Sequence, residues 1–202
     1  MMHGVGGTDS VHILEFIKAG SIGAEIGVWK GFTSEKFLKR NPEKLYLIDP
    51  WAVEAYKPSL NVDDDTFNYN KYINRYKSIV GSSDPAMFQK HYDKVHDNVV
   101  KKFKNNENVE VCRMLSTEWF AAYDGPKLDW IYIDGDHSYT GVINDLNASL
   151  AVVKPGGVII GDDYKWHNDG DKGGVKKAVK EFIETNNLTV KQYGKIQFVI
   201  QL

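Results

Sequence analysis

Short apolar runs alternate with segments of helical spacing along most of this chain. Five runs predict buried strands: SIGAEIGVW, KLYLIDPW, NVEVCRML, LDWIYI and VIIGDDY, with the turn sequence KPGG before the last of them. Helices are predicted at Thr8 or Ser10 to Phe16, at SEKFLKR, at 85–103, at STEWFAAY, at 138–153 and at GGVKKAVKEFIETNN. This alternation predicts an α/β fold with a mostly parallel sheet and helices on both faces, because right-handed crossovers pack in that way. The last two runs, LTVKQY and IQFVIQ, predict an antiparallel hairpin at one edge of the sheet.

The segment at about 52–84 interrupts this alternation. It is rich in Tyr and Asn, contains Pro58 and the acidic run Asp63 to Asp65, and has helical spacing from Phe67 to Ile79. Long connections in compact domains are usually lids, binding loops or disordered segments. We therefore predict a single domain over residues 1–202, with a lid-like insertion after the second strand.

The composition narrows the classes of partner. The 202 residues carry a formal net charge of −2, and acids and bases are interspersed along the chain. Nucleic-acid surfaces rely on clustered Lys and Arg, so this balance argues against a nucleic-acid partner. No window approaches the apolar length needed to cross a membrane, and the segment MMHGVGGTDS lacks the features of a signal peptide. The single Cys112 fits a reducing compartment, so we expect a cytoplasmic protein.

Polar residues collect where the predicted strands end. The positions are Glu25 to Thr33, Asp49, Ser116, Asp134, Asp136, Asp162 and Asp163. In open α/β sheets, ligands bind outside the carboxyl ends of the strands, near the point where the strand order reverses. A turn explains any one of these residues alone. Polar ends on five strands together predict a binding site at this edge.

The turn after the first strand distinguishes two classes of cofactor. A dinucleotide site needs G-x-G-x-x-G, whereas this chain has E-x-G-x-x-x-G at Glu25, Gly27 and Gly31. Asp49 follows about twenty residues later, where an acid can hold the two hydroxyls of a ribose. This spacing favours a nucleoside cofactor without a pyrophosphate over NAD, and a purely structural turn stays as the alternative.

Four carboxylates follow the fourth and fifth strands. Asp134 and Asp136 lie two apart on an extended segment, and Asp162 and Asp163 end the next strand. Carboxylates this close together raise one another's pKa values, and a hard divalent cation such as Mg²⁺ would relieve the repulsion. In the alternative interpretation, Asp136 caps the helix that begins near Ser138, and Asp162 or Asp163 bonds the following turn.

The motifs that carry these residues resemble those of a known family. EIGVWKGFTS, LIDPW, IDGDHSY, KPGGVIIGDDY and GGVKKAVKEF follow the order and spacing of the class I S-adenosylmethionine-dependent methyltransferases. Within this class the chain resembles the metal-dependent O-methyltransferases of the macrocin and novobiocin-sugar type, with their cephalosporin-hydroxylase-like relatives. The resemblance extends from about Ile22 to Phe182, excluding the insertion. Its most specific part is the combination of DGDH, GDDY and GGVKKAV.

The resemblance implies a fold and a set of site residues. It implies a Rossmann-like three-layer sandwich with the sheet order 3-2-1-4-5-7-6 and strand 7 antiparallel. The implied cofactor is S-adenosylmethionine, with Mg²⁺ beside it. The implied roles are the methionine end of the cofactor for Glu25, Gly27 and Thr33, ribose for Asp49 and adenine for Ser116, with Gly31 and Asp134 also among the cofactor-binding residues. Asp134, Asp162 and Asp163 are implied to hold Mg²⁺, and Asp136 is implied to be the general base.

Two histidines add alternatives to this assignment. His137 directly follows Asp136 and would serve as the base or as a metal ligand, because imidazole is well matched to proton transfer near neutral pH. His167, in YKWHNDGDKG, is placed to touch a substrate or to lie on the surface.

The leading functional hypothesis is Mg²⁺-assisted O-methylation of a hydroxyl on a small molecule, such as a sugar or a glycosylated metabolite. The alternatives are an NAD-type oxidoreductase and a non-catalytic cofactor-binding module of the same fold. Neither a nucleic acid nor a membrane is expected as a partner. The apolar spacing of VHILEFI fits a homo-oligomer contact as well as a helix that covers its own sheet.

Overall fold

The computed structural model describes residues 8–52, 69–164, 174–194 and 196–202. A 3₁₀ helix at Thr8–Phe16 comes first. The strands are β1 (Ile22–Ile26), β2 (Lys44–Ile48), β3 (Val109–Cys112), β4 (Leu128–Ile133), β5 (Val153–Gly161), β6 (Val190–Tyr193) and β7 (Gln197–Gln201). The α-helices are α1 (Phe32–Leu38), α2 (Tyr69–Val80), α3 (Pro85–Phe103), α4 (Ser116–Ala122), α5 (Tyr139–Val152) and α6 (Gly174–Asn186).

The strands form one sheet in the order β3-β2-β1-β4-β5-β7-β6. β1 to β5 are parallel to one another, and β7 runs antiparallel to both β5 and β6. The predicted α/β fold, its strand order and its antiparallel hairpin are therefore confirmed. This order places the carboxyl ends of β1, β2 and β4 side by side.

The sheet is buried on both faces, as the continuous apolar character of its strands predicts. Along β4, Trp130 and Tyr132 point into the layer that contains Phe37, whereas Ile131 and Ile133 point into the opposite layer. The first layer also includes the 3₁₀ helix and α3, and the second includes α4, α5 and α6. Because alternate residues fill alternate layers, the rigid centre of the sheet holds the ends of β1 and β4 in place.

The fifth strand begins earlier than the sequence predicts. The predicted turn at KPGG is instead the start of β5, and a register shift between Leu128 and Trp130 accommodates it. The N–H of Gly156 donates to the carbonyl of Leu202 at 3.0 Å, and the N–H of Leu202 donates to the carbonyl of Gly157 at 3.0 Å. Contacts with the distant end of the chain thus extend the strand through a turn sequence.

The structure describes the second half of the predicted insertion, from residue 69 onward. The helix expected at 67–79 is present as α2, with bounds Tyr69–Val80. Residues 53–68, which include Pro58 and Asp63 to Asp65, lie outside the described residues. The lid-like role of this segment therefore stays a prediction.

No helix within the described ranges combines the length and the apolar character needed to span a membrane.

Candidate active site

Asp49 organises the loop that follows β1. It is buried, with 3% of its surface exposed, and its Oδ2 accepts the backbone N–H groups of Val28 at 3.0 Å and Trp29 at 2.9 Å. Its Oδ1 accepts the N–H of Trp51 at 2.7 Å. Burial raises the pKa of Asp49, and the three N–H donors oppose that rise. The carboxylate therefore binds protein backbone here, and its predicted contact with ribose stays a prediction.

Two tryptophans around Asp49 have left-handed backbone conformations. Trp29 has φ 51° and Trp51 has φ 40°, a region in which bulky non-glycine residues are rare. The indole N–H of Trp51 donates to the carbonyl of Trp29 at 2.9 Å. Such strain persists only where the surrounding contacts outweigh it, and functional sites are where it usually occurs.

Gly27 lets the ends of β1 and β4 approach each other. Its φ is 87°, and a Cβ atom on it would lie 2.1 Å from the carbonyl oxygen of Asp134. The N–H of Gly27 donates to Ile48 at 2.9 Å, and the N–H of Asp134 donates to Ile26 at 2.8 Å. These bonds join the ends of three neighbouring strands, so glycine is required at this position for steric reasons.

Glu25 is a buried acid at this junction. It is 1% exposed and accepts a hydrogen bond from the hydroxyl of Ser34, a contact that the sequence interpretation missed although Ser34 lies in the first turn after Gly31. Burial raises the pKa of Glu25 well above its usual range, and the charges of Asp134 and Asp49 raise it further. Gly31 is the N-cap of α1 and Thr33 is its second residue, and the cofactor contacts implied for both stay predictions.

Asp134, His137 and Asp163 come together after β4 and β5. One side-chain ligand atom from each lies within 4.8 Å of the other two. His137 Nε2 is 3.4 Å from Asp134 Oδ1 and 3.3 Å from Asp163 Oδ2. Burial raises the pKa of Asp134; burial lowers that of His137, but the two acids outweigh this and raise it. A proton on His137 is thus one way in which these acids are neutralised.

Asp162 lies outside this group of three, although the resemblance places it with Asp134 and Asp163. Its Oδ2 accepts the hydroxyl hydrogen of Tyr132 at 2.8 Å, and its Oδ1 accepts the backbone N–H of Asp163 at 2.8 Å. Asp163 has φ 56°, which directs the two neighbouring carboxylates differently. Among the described residues, His137 is therefore the third member of this group, and the Mg²⁺ role implied for Asp162 stays a prediction.

Asp136 holds the loop before α5 through two hydrogen bonds from Ser138. Its Oδ1 accepts the N–H of Ser138 at 2.9 Å, and its Oδ2 accepts the Ser138 hydroxyl hydrogen at 2.9 Å. Ser138 in turn accepts the N–H of Gly141 at 3.0 Å, which caps the helix. Ser138 is thus the N-cap of α5 in place of Asp136, which instead holds Ser138, and the general-base role that the resemblance implies for Asp136 stays a prediction.

Ser116 begins α4, and its hydroxyl donates to Oδ1 of Asp145 on α5 at 2.6 Å. Asp145 is 3% exposed, and burial raises its pKa to about 7, while the Ser116 hydrogen bond lowers it and the charge of Asp136 raises it. The sequence interpretation missed Asp145, because its helical position gives no indication of a partner 29 residues away.

The remaining candidate residues from the sequence are Cys112 and His167. Cys112 is buried at the end of β3, and burial raises the pKa of its thiol to about 11, which agrees with a packed thiol rather than a nucleophile. His167 lies outside the described residues, so its contact with a substrate stays a prediction.

Comparisons with known proteins agree with the observed fold. Residues 24–164 match the model of a family described as a methyltransferase domain. The O-methyltransferase from Bacillus cereus in complex with SAH superposes with a TM-score of 0.65 at 15% identity, covering 100% of this chain and 84% of that chain. The O-methyltransferase NovP superposes with a TM-score of 0.61 at 17% identity, covering 96% of this chain and 76% of that chain. A SAM-dependent methyltransferase from Aquifex aeolicus superposes with a TM-score of 0.55 at 17% identity, covering 96% of this chain and 88% of that chain.

One curated protein shares a short segment with this chain. It is the uncharacterized protein R132 of Acanthamoeba polyphaga mimivirus, which is 50% identical over 38 residues. The match spans 19% of this chain and 17% of the length of that protein.

Proposed function

We propose, from the premise that this chain belongs to the methyltransferase domain family, that it transfers the methyl group of S-adenosylmethionine to a hydroxyl on a small molecule such as a sugar or glycoside. The observation that carries the choice of cofactor is a group of three acids at adjoining strand ends, the buried Glu25 and Asp49 and the partly exposed Asp134. The predicted cytoplasmic location, the small-molecule acceptor and a homo-oligomer contact belong to the same proposal.

The charge of these acids favours a cationic ligand. Burial raises the pKa of each, and Glu25 is raised further by its two neighbours, so the pocket is costly to keep ionised without a counter-charge. S-adenosylmethionine carries an ammonium and a sulfonium, whereas NAD carries a negatively charged pyrophosphate. The acids would attract the first and repel the second, in agreement with the absence of G-x-G-x-x-G from the β1 turn.

The proposed reaction is an in-line displacement at the methyl carbon. The acceptor oxygen forms a bond to carbon while the sulfur–carbon bond breaks, which yields a methyl ether and S-adenosylhomocysteine. The hydroxyl proton passes to a base, and we assign this role to His137 because both oxygens of Asp136 accept hydrogen bonds from Ser138. The assignment requires a neutral imidazole, with the neighbouring acids neutralised by a bound cation and not by a proton on His137. Holding the hydroxyl against the methyl group supplies much of the acceleration.

A divalent cation, predicted as Mg²⁺, completes the proposal. One carboxylate oxygen each of Asp134 and Asp163 and one ring nitrogen of His137 lie within 4.8 Å of one another, and this donor set fits a small divalent ion. When bound there, the ion would neutralise the acids and lower the pKa of a coordinated hydroxyl. Asp162, held by Tyr132, would orient the segment that carries Asp163.

The cofactor proposal predicts a charge-dependent binding site. Replacing Glu25 with glutamine should weaken S-adenosylmethionine binding about tenfold or more, because a cationic ligand would favour the charged form of the buried carboxyl and glutamine cannot ionise. Isothermal titration with S-adenosylmethionine and with NAD⁺ measures this directly. Glu35→Gln is the matched control, since Glu35 lies on α1 beside Ser34 but pairs with Lys102 at the surface. The proposal is contradicted if the protein binds NAD⁺ as tightly as S-adenosylmethionine, or if Glu25→Gln leaves the affinity for S-adenosylmethionine unchanged.

The cation proposal predicts that substitutions distinguish the residue that binds Mg²⁺ from the residue that acts as the base. Asp163→Asn should weaken Mg²⁺ binding about tenfold or more, while His137→Asn should keep Mg²⁺ binding and lower methyl transfer about a hundredfold, the usual effect of losing a general base. Titration calorimetry measures the affinity for Mg²⁺. The transfer of a labelled methyl group from S-adenosylmethionine to a panel of sugars and glycosides measures the rate of the reaction. Asp97→Asn, at an exposed acid, is the control. Loss of Mg²⁺ binding in His137→Asn would make His137 a ligand instead of the base.

A further inference from the structure

An accessible hydroxyl at the end of β3 is supported by a buried acid. Ser116 is partly exposed at the first position of α4, whereas Asp145, on the neighbouring helix α5, is 3% exposed. The Ser116 hydroxyl donates to Asp145 Oδ1 at 2.6 Å, a short distance typical of a charge-assisted bond. Ser149 donates to the backbone carbonyl of Asp145 at 2.6 Å, so it does not compete for the carboxylate oxygen that receives Ser116.

This bond determines what Ser116 offers on its other side. A serine hydroxyl has one hydrogen and two lone pairs. Because Asp145 takes the hydrogen, only lone pairs of Ser116 face away from the helix interface. Ser116 is therefore held as a hydrogen-bond acceptor, although serine by itself has no such preference.

The position of Ser116 fits the far end of a nucleoside. The sheet order β3-β2-β1 puts the end of β3 next to Asp49, whose N–H donates to the carbonyl of Cys112 at 3.2 Å. Neighbouring strands lie about 4.8 Å apart, so about 10 Å separates the ends of β1 and β3. A cofactor with its amino-acid end at β1 and its ribose near β2 would bring its base close to the start of α4.

We propose that Asp145 determines the base specificity of the cofactor site by holding Ser116 as an acceptor for the 6-amino group of adenine. This inference rests on the proposed function, in which the cofactor is S-adenosylmethionine. A purine with a carbonyl at the 6 position would place an acceptor against an acceptor. Sites built around a specific hydrogen bond reject analogues that cannot make it.

The test compares S-adenosylhomocysteine with its 6-oxo counterpart S-inosylhomocysteine, in which the 6-amino donor becomes a carbonyl acceptor and the neighbouring N1 gains a hydrogen. The Asp145 and Ser116 variants identify the part of the preference that these two side chains supply. Titration calorimetry at pH 8.5, above the pKa of Asp145, gives the ratio of their dissociation constants. The natural sequence should prefer the amino form about tenfold to a hundredfold. In Asp145→Ala the ratio should fall toward one, because the freed hydroxyl can rotate and donate to the 6-oxo group.

Three further variants separate specificity from stability. Asp145→Asn should restore the preference, since its amide oxygen can accept from Ser116. Ser116→Ala should lose the preference, and Ser149→Ala, the matched control on the same helix, should keep it. An unchanged ratio in either Asp145→Ala or Ser116→Ala overturns the inference. Failure of the natural sequence to bind S-adenosylhomocysteine at all would instead count against the proposed function.

Discussion

Replacing Asp49 with alanine is expected to lower the free energy of unfolding by about 3 kcal/mol and to abolish binding of S-adenosylmethionine. The substitution leaves the buried N–H groups of Val28, Trp29 and Trp51 without an acceptor. It also releases the two left-handed tryptophans, whose strained conformations depend on these bonds. Urea unfolding and titration calorimetry with S-adenosylmethionine measure the two effects.

The matched control for Asp49 is Asp129, at the opposite end of the same sheet. Its carboxylate also accepts a backbone N–H, that of Ile22 at 2.7 Å, and pairs with Lys154. Asp129→Ala should cost about 1 kcal/mol of stability and leave cofactor affinity unchanged. If Asp49→Ala behaved in the same way, Asp49 would not organise the loop that follows β1.

Replacing Gly27 with alanine is expected to lower the free energy of unfolding by about 3 kcal/mol or more, or the midpoint of thermal unfolding by about 6–12 °C. Alanine would have to adopt φ 87° and would place its Cβ 2.1 Å from the carbonyl oxygen of Asp134. Because that neighbour is backbone, the end of β4 must move. Differential scanning calorimetry gives the stability change.

Gly20 isolates the steric part of this effect. It also has a left-handed φ, of 74°, but no atom lies within 4 Å of a Cβ built on it. Gly20→Ala should therefore cost only the conformational penalty, about 1–2 kcal/mol. Equal losses in the two variants would show that the contact between Gly27 and Asp134 has little energetic weight.

The secondary structure was predictable wherever the signals are local. For α3, Pro85 starts the helix, and the Asp84 side chain accepts the N–H of Ala86 at 2.9 Å, so proline and cap are adjacent in sequence. The beginning of β5 was not predictable in this way, because its KPGG segment pairs with Leu202, almost fifty residues later. A turn sequence became a strand through a contact that no local window contains.

The sequence by itself determined where the acids lie along the chain and that they follow buried strands. An apolar run that ends in Asp is a local pattern, and parallel strands bring their carboxyl ends to one edge. Only the tertiary structure decided which partner each acid takes. Asp49 accepts backbone N–H groups, Asp136 accepts from Ser138, Asp162 accepts from Tyr132, and Asp134 and Asp163 face His137. These choices depend on single backbone angles, such as φ 56° at Asp163, and on side chains that meet only after the sheet has formed.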